Sequence, residues 1–170
     1  PGDRLKMVRL PVMVSYARAL NIGMAAAGDA DWYACFNNDC LAEGPISPII
    51  RELDPCVVWG SSWWEDKPEN HIRTTDGFDF VPAYSAWMLL SAQIRRSVGD
   101  FIPDLYAFED FSYELMALRL GWRIGVADLP VRHLDKHTRL RTPGYSAKWE
   151  ASRLLYQDLH GIEETTPWLK

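Results

Sequence analysis

The chain has 170 residues, the size of one ordinary globular domain. Hydrophobic residues make up 48% of it and charged residues 24%, a balance that excludes a disordered or fibrous protein. The net charge of −5, without any run of Lys and Arg, argues against a nucleic-acid partner. No stretch approaches the ~20 apolar residues of a membrane span. We therefore expect one domain over residues 1–170, with no transmembrane segment.

The cysteines indicate a cellular compartment. Cys35, Cys40 and Cys56 are odd in number and form no Cys-x-x-Cys pair, so neither a disulfide framework nor a thiolate zinc site is expected. The first residues lack the charged and apolar regions of a secretory signal. Both observations favour a reducing, cytoplasmic location.

Predicted strands and helices alternate along the chain. A short strand is predicted at Leu5–Leu10, and a helix follows it between a Ser15 cap and Gly28. Further strands are predicted at Trp32–Phe36, Cys56–Gly60, Ala83–Leu90 and Trp122–Ala127, and further helices at Pro48–Leu53, Ser91–Val98, Glu109–Leu120 and Ser146–His160. Alternation of this kind predicts an α/β fold with a mostly parallel sheet flanked by helices.

Two further predictions concern the segment between two of these strands and the face of the last helix. Residues 61–80 show no clear period and are predicted to form a long loop of the kind that is usually functional. The C-terminal helix, residues 146–160, has Ala151, Leu155 and Leu159 on one stripe, which is expected to pack inward.

The turn Asn37–Asn38–Asp39 is the first candidate site. It directly follows a predicted strand, and ligands of open α/β sheets bind beyond the carboxyl ends of strands. Its oxygen atoms suit Mg²⁺ or Mn²⁺. The alternative is an ordinary turn in which Asn and Asp cap their own backbone.

The acidic pair Glu109–Asp110 is the second candidate. It begins a predicted helix, where acidic residues are favoured by the helix dipole alone. The functional alternative is that one carboxylate accepts a proton from a substrate. Adjacent helical residues point about 100° apart, so only one of the two is expected to face a given substrate.

Histidine and tryptophan side chains supply the remaining candidates. His133 and His137 have the spacing of a helical zinc site, but the surrounding residues do not predict a helix. Trp59, Trp63 and Trp64 precede or begin the predicted loop, and one of them is a candidate for stacking on a ligand. The alternative is packing in the core or as a lid.

The order of these features resembles glycosyltransferase family 2, whose members have the GT-A fold of nucleotide-diphospho-sugar transferases. The segments that resemble the family are Ala19–Ala27, Phe36–Asp39, Ala86–Leu90, Val98–Phe101, Phe108–Asp110, Leu118–Ile124 and Val131–His133. They lie between Val8 and His133, within a family-like core of residues 5–133. The resemblance implies a GT-A-like, mostly parallel sheet and a metal-dependent, inverting glycosyltransferase.

The resemblance also implies roles for individual residues. The reaction would move a sugar from a nucleotide-sugar donor to a saccharide or another hydroxyl acceptor. Asp39 and His133 match the ligands of Mn²⁺ or Mg²⁺, and Asp110 matches the catalytic base, with Glu109 beside it. The remaining implied contacts are with the donor, through Asn21, Gly23, Asn37 and Asn38, and with the acceptor, through Trp63 and Trp64 in the loop 61–80.

The chain departs from the family pattern at its N-terminus. Family members normally begin with a strand, a turn and a helix that recognise the nucleotide base, and this sequence begins after them. The expected fold is therefore an N-terminally truncated one. Three explanations stay open: a fragment, a section supplied by a homo-oligomer or a partner chain, or a non-catalytic carbohydrate- or nucleotide-binding remnant.

Overall fold

The computed structural model describes residues 7–63, 71–134 and 144–162. The described helices are α1 (Tyr16–Ala27), α2 (Ser47–Glu52), α3 (Ala92–Val98), α4 (Glu109–Arg119) and α5 (Tyr145–His160). The described strands are β1 (Trp32–Phe36), β2 (Cys40–Ala42), β3 (Val57–Trp63), β4 (Ile72–Arg73), β5 (Asp79–Phe80), β6 (Ala83–Ser91), β7 (Arg123–Val126) and β8 (Val131–His133). Of these helices, none has the length and apolar character needed to cross a membrane.

The main sheet is mixed, with the strand order β1-β6-β3-β7. β6 is antiparallel to both β1 and β3, and parallel pairing is limited to β3 with β7. The expectation of a mostly parallel sheet is therefore wrong for the described strands. The reason is that β3 ends at Trp63 and β6 starts opposite it at Ala83, so β6 runs back beside β3 in the opposite direction.

Two small antiparallel sheets accompany the main one. β2 pairs with β8, and β4 pairs with β5. The β4–β5 pair lies within residues 61–80, and β3 extends into the same range as far as Trp63. The prediction of a continuous loop over residues 61–80 is therefore wrong for the described residues. A tight turn joins β4 to β5. In this turn Thr74 Oγ1 accepts a hydrogen bond from the Phe78 amide at 3.0 Å, and Gly77 has a φ of 91°, which glycine adopts without steric cost.

The predicted helix near the N-terminus is confirmed at both ends. Ser15 accepts a hydrogen bond from the Arg18 amide at 3.1 Å, and Gly28 ends α1 with a φ of 73°. The strand predicted at Leu5–Leu10 is wrong for residues 7–10, which form no regular structure. A strand needs a hydrogen-bonded neighbour, and no described strand pairs with these residues.

The buried face of α5 differs from the predicted stripe by one position. Ser152, Tyr156 and His160 are buried, whereas Leu159 is 47% exposed. Polar partners explain the difference. Ser152 Oγ accepts a hydrogen bond from the Tyr106 amide at 2.8 Å, so the hydroxyl remains paired when α5 packs inward.

The core has helices on both faces of the main sheet. Along β6, Met88 and Leu90 pack with α1, α3 and α4, while Trp87 and Leu89 pack on the opposite side near α2. This alternation is the normal consequence of the two-residue period of a strand. A third cluster joins α4, α5 and the β4–β5 hairpin through Phe108, Phe111, Tyr156 and neighbouring residues.

Candidate functional site

The candidate site lies at one edge of the main sheet. β1, β3 and β7 run in the same direction, because β1 and β3 are both antiparallel to β6 and β7 is parallel to β3. Their carboxyl ends therefore meet at one edge, the position at which open α/β sheets bind ligands. The turn with Asp39 follows β1, and Asp128 follows β7.

The N-terminus of α4 is directed toward the same edge. α4 leads through a tight turn into the first residue of β7, so its other end points toward the carboxyl ends of the strands. A buried contact fixes it there: Glu114 Oε2 accepts a hydrogen bond from the Ala83 amide at 3.1 Å, where β6 begins. Asp110 lies one helical turn before Glu114.

Asp39 and His133 are in direct contact. The pairing of β2 with β8 sets Cys40 opposite His133, and the Leu134 amide donates to the Asp39 carbonyl at 2.8 Å. His133 Nε2 consequently lies 3.0 Å from Asp39 Oδ1, with the two side chains only 19% and 16% exposed. Since an ionised carboxylate can only accept, the imidazole is the donor. The structure thus brings together the two residues that the sequence suggested as metal ligands.

The chemistry of this pair fits a divalent cation. Asp39 offers a carboxylate oxygen and His133 an imidazole nitrogen, which are both common metal ligands. No group of three His, Cys, Asp or Glu side chains suitable for a metal occurs in the part of the chain that the structure describes. Two protein ligands are sufficient for Mg²⁺-type sites that also use substrate phosphates. A cation held by both side chains through His133 Nε2 would require this nitrogen to be unprotonated.

A cleft of about 230 Å³ opens beside His133. Its walls include Ser61 from β3, Trp87 from β6, and Asp128 and Leu129 from the segment after β7. Trp87 and Asp128 were not among the site residues predicted from the sequence. The position of Asp128 directly after a predicted strand is the signal that could have identified it.

Glu109 and Asp110 line a different and much smaller cavity. This cavity, of about 10 Å³, is bounded by α1, β1, β6 and the start of α4. Asp110 Oδ1 accepts a hydrogen bond from the Phe111 amide at 2.9 Å. Asp110 is not among the residues that line the cleft beside His133. Glu109 and Asp110 therefore lie at the same edge of the sheet as His133 but in a different cavity.

Tyr16, the first residue of α1, lies near the start of α4. Burial raises the pKa of its hydroxyl far above the ordinary value, and Cys35, Glu109, Asp110 and Cys40 raise it further. The hydroxyl is therefore neutral in the physiological range and borders the cavity that contains the acidic pair. Tyr16 was not predicted as a site residue, because only the folded chain brings α1 against α4.

Glu114, like Asp128, is a carboxyl residue that was not predicted from the sequence as part of the site. It is fully buried, and its Oε1 atom has no hydrogen-bond partner among the described residues. Burial, and then the charge of Asp110, hold the pKa of this carboxyl well above its ordinary value. A buried carboxyl with these surroundings is expected to be neutral.

The residues predicted to contact the donor have mixed positions. Asn21 uses its side chain internally, donating to the Phe101 carbonyl at 2.8 Å and accepting from the Phe101 amide at 2.9 Å. Gly23 lies exposed on α1. Asn37 and Asn38 form the turn before Asp39, where the Asn37 amide donates to the Ala86 carbonyl at 3.0 Å.

The two residues predicted to contact the acceptor, Trp63 and Trp64, lie mostly outside the residues that the structure describes. Trp63 ends β3, with its backbone paired to Ala83, but its side chain, like the whole of Trp64, falls outside the described residues. Trp59, another tryptophan of this strand, donates from Nε1 to the Asp54 carbonyl at 3.1 Å. That contact ties β3 to the preceding turn.

Comparison of the chain with protein-family models, curated proteins and solved structures finds no significant match.

Proposed function

We propose that this chain is a metal-dependent, inverting glycosyltransferase of the GT-A type, which moves a sugar from a nucleotide-sugar donor to a saccharide or another hydroxyl acceptor. The observation that most supports the proposal is the contact of Asp39 with His133, 3.0 Å apart at the carboxyl edge of the sheet. This edge also receives the N-terminus of α4 with Glu109 and Asp110. The residue types suit the resemblance drawn from the sequence.

In the proposed reaction the chain supplies charge and proton transfer. Mn²⁺ or Mg²⁺ bound by Asp39 and His133 would offset the negative charge on the departing nucleotide diphosphate. Asp110 accepts the proton of the acceptor hydroxyl. The acceptor oxygen forms a bond to the anomeric carbon on the face opposite the leaving group, and the bond from that carbon to the phosphate oxygen breaks with its electron pair. Glu109 orients the acceptor hydroxyl or caps α4.

The proposed setting is the reducing cytoplasm, with three free thiols at Cys35, Cys40 and Cys56. The donor contacts proposed are Asn37 and Asn38 in the turn, together with Asn21 and Gly23 on α1. A homo-oligomer or a partner chain that completes the donor pocket belongs to the same proposal, and light scattering at several protein concentrations tests the first of these.

A binding panel followed by one substitution tests the function. Thermal shifts are measured with UDP, GDP, UDP-glucose, UDP-N-acetylglucosamine and GDP-mannose, each with and without Mn²⁺. We expect at least one nucleotide sugar to stabilise the protein only with the metal. Asp110→Asn should abolish transfer of the sugar to a saccharide acceptor and leave this metal-dependent stabilisation in place. Asp104→Asn is the control for loss of one negative charge, because Asp104 is an exposed carboxylate that pairs with Arg18 outside the proposed site.

The second candidate function is a non-catalytic carbohydrate- or nucleotide-binding module. The separation of the two cavities favours it, because Asp110 does not line the cleft beside His133. Tight sugar binding without any nucleotide binding under all metal conditions would support this module and contradict the transferase.

A further inference from the structure

Phe108 has an unusual backbone conformation directly before the acidic pair. Its φ and ψ are 65° and 11°, and it is the sole non-glycine residue with a positive φ in the described ranges. A bulky side chain in the left-handed region costs free energy. Such a conformation persists where surrounding contacts enforce it, and these positions cluster at functional sites.

Aromatic side chains of α5 enclose the Phe108 ring. The ring of Tyr156 stacks on it with centroids 5.5 Å apart and an interplanar angle of 14°. Trp149, two helical turns earlier, approaches to 5.2 Å with a tilted ring. Phe108 is only 7% exposed as a result. We refer to Trp149 and Tyr156, which pack on this ring, as the aromatic clamp.

Polar contacts at two points along α5 hold the clamp in place. Ser152 Oγ accepts from the amide of Tyr106, two residues before Phe108, at 2.8 Å. At the end of α5, Arg119 Nη1 donates to His160 Nδ1 at 2.9 Å. The opposite ring nitrogen, Nε2, therefore carries the proton and donates to Ser112 Oγ at 2.7 Å. These contacts fix α5 against both α4 and the segment that leads into it.

The conformation of Phe108 determines how the chain enters α4. The Ser112 amide donates to the Phe108 carbonyl at 2.9 Å, which makes this carbonyl the first acceptor of the helix. Rotation of Phe108 out of the left-handed region would break this hydrogen bond or redirect the preceding segment. Either change would alter the direction in which the side chains of Glu109 and Asp110 project from the start of α4.

We propose that the aromatic clamp of α5 holds Phe108 in the left-handed conformation and thereby positions Asp110 for proton transfer at the sheet edge. Phe108, Trp149 and Tyr156 are positioning residues in this proposal, since the rings of Trp149 and Tyr156 pack on that of Phe108 directly before α4. The proposal rests on the function proposed above, because Asp110 is taken as the base.

The experiment compares Trp149→Leu and Tyr156→Leu with Ile72→Ala, a buried substitution in the same hydrophobic cluster. Transfer is measured with the nucleotide sugar that binds best in the thermal-shift panel. We expect kcat to fall about 10- to 100-fold in the two clamp variants, with the donor KM unchanged and with little effect in Ile72→Ala. Trp149→Leu is the milder clamp variant, because Trp149 is only partly buried.

A function-independent measurement accompanies the kinetics. Hydrogen exchange of the Ser112 amide, followed by NMR, reports directly on its bond to the Phe108 carbonyl. We expect faster exchange in both clamp variants than in Ile72→Ala. Phe108→Gly should retain slower exchange and a higher kcat than Phe108→Ala, because glycine adopts the left-handed conformation without steric cost. Loss of packing alone predicts no advantage for glycine.

The outcomes separate the two proposals. If the wild-type protein transfers no sugar while the exchange rates follow the expected order, the clamp is supported and the transferase proposal fails. If the wild type is active and the clamp variants keep the kcat of Ile72→Ala, the positioning role is overturned. A higher kcat in Phe108→Ala than in Phe108→Gly would overturn it as well.

Discussion

His133 Nε2 lies 3.0 Å from Asp39 Oδ1, although 94 positions separate the two residues along the chain. The contact depends on the short β2–β8 sheet, in which Cys40 is the partner of His133. One side of the contact borders the cleft of about 230 Å³. Its ligand chemistry leads directly to a measurable prediction about metal binding.

Substitution at this pair should remove metal-dependent ligand binding. In the wild type, a nucleotide diphosphate at about 100 times its Kd with Mn²⁺ should raise Tm by roughly 5 to 10 °C. Asp39→Asn and His133→Ala should lose most of this shift, because each removes one of two protein ligands. Thermal denaturation with and without Mn²⁺ makes the measurement. Glu43→Gln is the matched control, since it removes an exposed ion pair with Arg132 beside the same small sheet. An equal shift in all four proteins would exclude this pair as the metal site.

His160 should make the folded protein sensitive to acid. Burial, and then the charge of Arg119, lower the pKa of this imidazole to about 4 from its ordinary value of 6.5. Between these values the unfolded chain binds a proton that the folded chain does not, so stability is full above pH 6.5 and falls as the pH drops toward 4. The expected loss is about 3 kcal/mol at most. Urea denaturation at pH 7, 5.5 and 4 should show it in the wild type and a flatter profile in His160→Gln.

The control for this pH dependence is Ser97→Ala, which removes a hydrogen bond from Trp122 Nε1 at 2.7 Å without removing a titrating group. This replacement should leave the loss on the acid side intact. Equal profiles for the wild type and His160→Gln would contradict the assignment of the acid sensitivity to His160.

Glu114 should produce a pH dependence of the opposite sign. Burial raises the pKa of its carboxyl, so the folded chain holds a proton that the unfolded chain releases above pH 4.5 or so. Its contribution to stability therefore declines as pH rises through this window. Glu114→Gln has nearly the same shape as the neutral acid but does not titrate. The variant should therefore be more stable relative to the wild type at pH 8 than at pH 5, as measured by the free energy of unfolding in urea. A constant difference would show that Glu114 does not titrate differently on folding.

Two glycines should respond oppositely to the same substitution. A Cβ atom at Gly125 would lie 2.7 Å from the Trp59 ring and 2.9 Å from Val57, so Gly125→Ala should cost about 1 to 3 kcal/mol. Gly23, inside α1, has nothing within 4 Å of such an atom. Gly23→Ala should therefore stabilise the protein by about 0.5 to 1 kcal/mol. Thermal denaturation of both variants makes the comparison, and a stabilised Gly125→Ala would contradict the packing of Trp59 against β7.

Local chemistry was sufficient to predict the elements whose ends depend on neighbouring residues. Ser15 caps α1 and Gly28 ends it, because both effects act within one helical turn. The strand Trp32–Phe36 agrees with the structure for a similar reason, since a compact apolar run between polar residues has few alternatives. By contrast, the direction of β6 and the β4–β5 hairpin depend on which segments meet in space.

The candidate site shows the same division. Asp39, Glu109, Asp110 and His133 could be selected from the chain because they follow strands or begin a helix. Tyr16 and Glu114 could not be selected, because their significance comes from burial beside Asp110, which no local pattern records. The buried face of α5 was displaced by one position for the same reason: Ser152 and His160 find hydrogen-bond partners on other elements.

What the sequence determined by itself was the helices and the strands of the main sheet, the absence of a long apolar span and the residue types available for chemistry. The tertiary structure alone decided that the sheet is mixed, that His133 contacts Asp39, and that aromatic side chains of α5 pack on Phe108. The physical reason is range. Helix caps and turns depend on interactions between neighbouring residues, whereas strand pairing, burial and aromatic stacking join segments that are tens of positions apart and act only once the chain has folded.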